Sequence, residues 1–157
     1  MKFLTLDNCH SLKGKRILVR IDINSPILNG KIQDNQRIRE HSRTLKELAR
    51  KNAKVVVIAH QGRKGQSDFT SLRKHAKLLS RYCFQKIQFV DDIVGNKALN
   101  AIENLKNGRI LLLENLRYLE EENKELSNYN NTKLVRTFKN LFDLKIIHSQ
   151  FLKLSKF

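Results

Sequence analysis

Four short polar clusters in this 157-residue chain carry the side chains that acidic small molecules need. They are Asp22, Asn24 and Pro26; His60-Gln61-Gly62-Arg63-Lys64-Gly65; Asp91 and Asp92; and Glu114-Asn115-Leu116-Arg117. Arginine offers a planar fork that matches phosphate or carboxylate, histidine adds a donor, and glycine lets the backbone approach a ligand closely. Asp22 and Asn24 carry groups suited to ligand hydroxyls. Arg37 opens a helix and joins the set if residues 24–36 fold back, where the positive end of that helix favours an anion. Each residue also has a purely structural reading. Asp22 and Asn24 can satisfy turn amides, Arg63 and Arg117 can sit in solvent, and His60 can be a hydrogen-bonded histidine at a strand end.

Other chemistries fit the residues poorly. Gly62-Arg63-Lys64-Gly65-Gln66-Ser67 does not supply the G-x-x-x-x-G-K-[ST] spacing of a Walker loop. Glu120-Glu121-Glu122 reads as a solvated loop or helix start in preference to a metal site. His10, His41, His75 and His148 share no metal-ligand spacing, and Cys9 and Cys83 read as reduced, inert packing residues. With no Trp and 7% aromatic residues, stacking platforms for nucleic-acid bases are not supported.

The elements that must position these clusters alternate along the chain. Arg16–Ile21 is a short β-branched run, Lys54–Ala59 is apolar throughout after its lysine, as expected of a parallel strand covered on both faces, and Ile87–Val90 and Ile110–Leu113 read as a third and a fourth strand. Between them, Arg37–Lys51 carries Ile38, Leu45, Leu48 and Ala49 on one helical face, with Arg39 and Arg43 on a solvated basic face. Leu72, Ala76, Leu79 and Cys83 mark a second helix. Leu99, Ile102 and Leu105 mark a third, ended by Asn107-Gly108, and Leu134 to Phe142 a fourth. Asn29-Gly30 is a turn signal. Strand and helix repeated four times predict a Rossmann-like, doubly wound parallel α/β sheet in one domain. Every polar cluster then follows a strand, at the carboxyl edge where such sheets bind ligands.

Charge agrees with an anionic partner. The chain holds 31 Lys and Arg against 15 Asp and Glu, a net charge of +16. Residues 1–85 hold 19 basic and 6 acidic side chains, a net charge of +13, so the attraction belongs to the first half. A lysine-favouring compositional bias explains the bulk charge equally well. Hydrophobic residues at 40% allow a packed core, and no run approaches a membrane span. The chain therefore reads as cytoplasmic.

Together these clusters resemble phosphoglycerate kinase. Val19-Arg20-Ile21-Asp22-Ile23-Asn24-Ser25-Pro26, Asp34-Asn35-Gln36-Arg37-Ile38-Arg39, Ala59-His60-Gln61-Gly62-Arg63, Phe89-Val90-Asp91-Asp92-Ile93-Val94-Gly95 and Leu112-Leu113-Glu114-Asn115-Leu116-Arg117-Tyr118 stand in the order and approximate spacing of that family. The wording is most similar to its archaeal branch. The resemblance implies the N-terminal half of a two-domain, usually monomeric kinase that moves a phosphoryl group between 1,3-bisphosphoglycerate and ADP, or between 3-phosphoglycerate and MgATP. It implies that Asp22 and Asn24 hold the glycerate, and that Arg37, His60, Arg63 and Arg117 surround its phosphate and carboxyl ends. The resemblance further implies a second, catalytic role for Arg37, stabilising charge on the transferring phosphoryl group. Asp91 and Asp92 are expected to be structural.

The resemblance also sets expectations for what is missing. Residues 1–142 are read as the phosphoglycerate-binding domain and 143–157 as a divergent tail that either replaces a strand or hangs loose. The C-terminal nucleotide-binding domain, with its MgATP or MgADP site, is absent from these 157 residues, so a truncated chain inactive alone is expected. A separately encoded nucleotide-binding half would be its partner. The alternatives are a non-enzymatic small-polyanion binding module and a nonfunctional gene fragment; nucleic acid ranks last among partners. Lys64 replaces a proline usual in the family, which predicts a less rigid loop around Arg63.

Overall fold

The computed structural model describes residues 11–124, 131–148 and 152–155. Eight strands and four helices lie among them: β1 (Arg16–Ile21), β2 (Ile27–Leu28), β3 (Lys31–Ile32), α1 (Gln36–Arg50), β4 (Lys54–Ile58), α2 (Arg73–Cys83), β5 (Gln88–Phe89), α3 (Asn96–Glu103), β6 (Ile110–Leu112), α4 (Lys133–Phe138), β7 (Leu144–His148) and β8 (Leu152–Ser155). Six of the strands form one sheet in the order β5-β6-β4-β1-β7-β8. The first five run parallel, and β8 returns antiparallel to β7.

Side-chain alternation divides the apolar strands between two cores. Ile17, Val19 and Ile21 of β1, with Val55 and Val57 of β4, meet Ile38, Leu45 and Leu48 of α1 and Ala76 and Leu79 of α2. Leu18, Val56, Ile58 and Leu111 face the other way, against Ala98 and Ile102 of α3 and Leu134 and Phe138 of α4. Helices therefore cover both faces, and the sheet is doubly wound as its unbroken apolar runs require. Fully burying each of the valine, leucine, isoleucine and phenylalanine side chains among them contributes about 1.5–3 kcal/mol.

Several boundaries differ from the sequence reading, each for a local reason. The third predicted strand shrinks to Gln88–Phe89 because the Ile87 amide donates to Ser80 Oγ at 2.9 Å instead of joining the ladder. The third helix stops at Glu103, and Asn107-Gly108 is a separate turn whose Gly108 amide donates to the Ala53 carbonyl at 2.8 Å. The fourth helix ends at Phe138; Leu141 and Phe142 still pack on the same core, with Phe142 edge-on to Phe138 at 5.4 Å. Asn29-Gly30 turns a small hairpin, β2 to β3, with both residues at positive φ. Of residues 144–157, the described parts do not hang loose: Leu144–His148 pair with Ile17–Ile21, and Leu152–Ser155 pair with Lys145–His148.

Arg39 is also not simply solvated, since its Nε lies 3.5 Å from Asp34. Cys83 is buried and its Sγ donates to the Ser42 carbonyl at 3.5 Å. Burial pushes its thiol up to about 11, so the thiolate is scarce at neutral pH. Cys9 and His10 lie outside the described residues.

Candidate functional site at the carboxyl edge

Because β1, β4 and β6 are parallel neighbours, the segments that follow them emerge on one edge. Asp22 comes one residue after β1, and His60 two residues after β4. Arg117 lies in a 3₁₀ turn, Leu116–Tyr118, just past β6. Asn35 caps α1 by accepting the Ile38 amide at 3.1 Å, and this turn brings Arg37 back to the edge. Arg37 Nη1 lies 2.9 Å from Asp22 Oδ2, with both side chains about half exposed. The other Asp22 oxygen accepts the Asn24 amide at 3.1 Å. Asn24 Oδ1 accepts the Gly62 amide at 2.9 Å, which joins the first cluster to the second and leaves the Nδ2 donor of an exposed side chain without an acceptor among the described residues.

Burial and the surrounding charges together set the protonation of His60. Burial is the largest effect and lowers its pKa; Arg117 and Arg20 push it further down, against the opposing pull of Asp22 and Glu122. His60 is therefore a neutral donor at pH 7 that an incoming anion would make more basic. Arg117 donates from Nη1 to the Glu122 carbonyl at 2.6 Å, while its Nε–H is buried and meets no acceptor among the described residues. Arg63 is exposed and makes no ion pair among the described residues. The loop carrying it is pinned at Gly62 and turns through a Gln66 amide to Arg63 carbonyl bond of 2.9 Å.

The three glutamates 120–122 open a 3₁₀ turn, Glu120–Asn123, as the helix-start reading expects; Glu120 is exposed, but the other two are engaged. Glu121 accepts the Lys133 and Leu134 amides at 2.7 and 2.8 Å and so holds the start of α4. Glu122 pairs with Arg20 at 3.0 Å and neutralises one of the cations nearest His60. Asp92 is spent on the Ile93, Gly95 and Ala98 amides. Burial alone would raise its carboxyl, but those three amides together hold it below the usual carboxylate range. A groove lined by Asp91, Asp92, Glu114, Tyr118 and Lys133 opens at the same edge, and none of the six predicted ligand residues lines it.

Sequence reasoning placed Gln61 and Asn115 in the right clusters without giving them a task. Both are fully buried. Asn115 Nδ2 donates to the Gln61 and Thr70 carbonyls at 2.8 and 2.7 Å, and its Oδ1 accepts the Gln61 and Arg117 amides at 3.2 and 3.1 Å. Glu114 accepts the Leu72 amide at 2.9 Å and the Ser71 hydroxyl at 2.7 Å, fixing the entry to α2. The signal available in the sequence was only that a carboxamide directly after an apolar run must find partners if buried.

The sheet order, the helices on both faces and the polar clusters beyond the strand ends define a Rossmann-like α/β domain whose basic edge faces solvent. Comparison with known proteins narrows this class. The sequence profile of phosphoglycerate kinase matches residues 6–149. The phosphoglycerate kinase of Pyrobaculum aerophilum is 56% identical over 110 residues, covering 70% of this chain and 27% of that protein. That of Saccharolobus solfataricus is 47% identical over 145 residues, covering 90% and 35%. The crystal structure of the Pyrococcus horikoshii phosphoglycerate kinase superposes with a TM-score of 0.88 at 32% identity, covering 94% of this chain and 36% of that one. This chain belongs to the phosphoglycerate kinase family. It spans about a third of the length of these relatives.

Proposed function

We propose that this chain binds 3-phosphoglycerate or 1,3-bisphosphoglycerate at the carboxyl edge of its sheet, as the substrate half of a phosphoglycerate kinase. The observation that carries the reading is the convergence, in a member of this family, of Arg37, His60, Arg63 and Arg117 beside Asp22 and Asn24 on one edge. Asp22 and the Asn24 amide group take the glycerate hydroxyl and carboxyl. Arg63 and Arg117, whose guanidinium groups pair with no carboxylate among the described residues, take the phosphate. Neutral His60 donates one hydrogen bond and gains basicity beside the ligand. Arg37 is held by Asp22 until substrate arrives, and then turns its free donors to the oxygens that gain charge as the phosphoryl group moves.

The family uses magnesium nucleotide. Among the described residues no three His, Cys, Asp or Glu side chains come together as a metal cage, and the Gly62–Ser67 loop lacks Walker spacing, so no residue here is assigned to the nucleotide. On this reading the nucleotide side is supplied by further sequence or by a separately encoded half, and the 157 residues bind phosphoglycerate without turning it over. Among the described residues no helix is long and apolar enough to cross a membrane.

Titration of the ¹⁵N-labelled chain with 3-phosphoglycerate tests the reading. Saturable shifts at the amides of Asn24, His60, Arg63 and Arg117, weakened in Arg37→Ala, are expected. A folded spectrum that does not respond overturns the binding site, and phosphoglycerate-dependent ATP consumption by the pure chain overturns the inactivity.

A further inference from the structure

We propose that Gln61 is a positioning residue of this site, setting the spacing between the loop that carries Asp22 and Asn24 and the loop that carries His60 and Arg63. The proposal rests on the phosphoglycerate reading above. Gln61 is fully buried, and every hydrogen-bonding direction of its carboxamide is used. Oε1 accepts the Ser25 amide at 2.8 Å and lies 3.1 Å from His75 Nε2. Nε2 donates to the Ser25 carbonyl at 3.0 Å and to the Asp68 carbonyl at 3.1 Å. One side chain thus holds both backbone groups of Ser25, a residue 36 positions away.

Ser25 carries the effect onward. Its hydroxyl donates to the Ile23 carbonyl at 2.9 Å and accepts from Asn35 Nδ2 at 2.8 Å. Asn35 is the cap of α1, and Arg37 stands two residues beyond it. On the other side, the backbone of Gln61 is clamped by Asn115, whose Oδ1 also accepts the Arg117 amide. The proposed ligand residues Asn24, Arg37, His60, Arg63 and Arg117 therefore each lie within two residues of a member of this buried chain of bonds. None of those members needs to touch the ligand.

No other side chain of this length provides one acceptor and two donors. Methionine leaves the Ser25 amide and carbonyl and the Asp68 carbonyl without partners in a buried place, so the loops separate to reach water. A displacement of about 1 Å is enough to spoil the placement of binding groups. Glutamate keeps the acceptor, loses both donors when ionised, and regains one when protonated.

The test compares 3-phosphoglycerate affinity in the whole chain, its Gln61→Met and Gln61→Glu variants, and Ile102→Val, a core change on the opposite face of the sheet. Gln61→Met is expected to bind about tenfold more weakly in its folded fraction, whereas Ile102→Val keeps the parent affinity. The affinity of Gln61→Glu relative to the parent is expected to recover as pH falls from about 8 to about 6, as the buried acid takes its proton back. A merely structural role lowers stability in all three variants but leaves that ratio flat. Parent binding with unchanged affinity in Gln61→Met, or a flat ratio in Gln61→Glu, overturns the positioning role alone. Absence of binding by the parent overturns the phosphoglycerate reading and this role with it. Should Gln61→Met not fold, the Gln61→Glu profile decides.

Discussion

Gly62 is the point where backbone conformation and site geometry meet, and replacing it with alanine separates their costs. Its φ of +65° lies in the left-handed region, where a side chain costs about 1–2 kcal/mol. A Cβ there would also sit 2.6 Å from the Asp68 carbonyl carbon and oxygen and the Phe69 nitrogen. All three are backbone atoms and cannot swing aside. Relieving the overlap pushes residues 68–69 and Gly62 apart, which disturbs the Asp68 carbonyl that Gln61 holds and the Gly62 amide that Asn24 holds. Loosening two such bonds costs about 1–2 kcal/mol beyond the conformational strain, which brings Gly62→Ala to about 3 kcal/mol. Gly30 is the internal control. Its φ of +69° is nearly the same, but nothing lies within 4 Å of its would-be Cβ, so Gly30→Ala shows the conformational cost alone. Urea unfolding followed by circular dichroism should separate the two variants by about 1–2 kcal/mol, and thermal midpoints by roughly 2–8 °C. Equal losses in the two glycines would refute the steric argument, because only the collision distinguishes them.

The remaining predictions concern protonation and capping. Burial takes His75 down from 6.5 to about 4. Between those values the unfolded chain binds more protons, so stability falls as pH falls, by roughly 3 kcal/mol from this group; urea midpoints between pH 7 and 4 should show that His75→Gln flattens the decline. For His60, whose pKa is depressed first by burial and then by Arg117, bound phosphate should raise the value and make binding take up protons. Imidazole proton shifts recorded across pH with and without 3-phosphoglycerate check this, and an unchanged midpoint would remove His60 from the site. Asn35→Ala deletes the cap of α1 and its bond to Ser25, and should cost about 1–2 kcal/mol in urea unfolding while weakening phosphoglycerate binding through Arg37.

The parallel sheet was legible because strands buried on both faces must be apolar throughout, as Val55-Val56-Val57-Ile58 is. The helices were legible because Ile38, Leu45 and Leu48 recur at helical spacing. The β2–β3 hairpin was not, since two-residue strands carry no periodicity and only Asn29-Gly30 announced a turn. Strand β7 was half legible: Leu144-Lys145-Ile146-Ile147-His148 has strand-like residue types, but its place beside β1 depends on residues 127 positions away. In the site, shared sheet direction made convergence readable, because parallel strands deliver their following loops to one edge. The task of Gln61 was invisible, since its partners Ser25 and Asn115 lie 36 and 54 positions off and no local rule joins them. The engagement of Glu121 and Glu122 was hidden in the same way, by partners on α4 and β1.

The placement of β7 also sets a timetable for synthesis. One side of β1 is covered as soon as β4 is made, but the other waits for a strand that begins at Leu144. At about 5–20 residues per second, roughly 120 intervening residues keep that flank open for about 6–25 s on the ribosome. An open strand flank invites pairing with the same flank of a neighbouring nascent chain. Residues 1–85, already emerged by then, carry 19 basic and 6 acidic side chains. That net charge of +13 sets like charge against like wherever two such open flanks meet, which opposes their pairing until β7 docks.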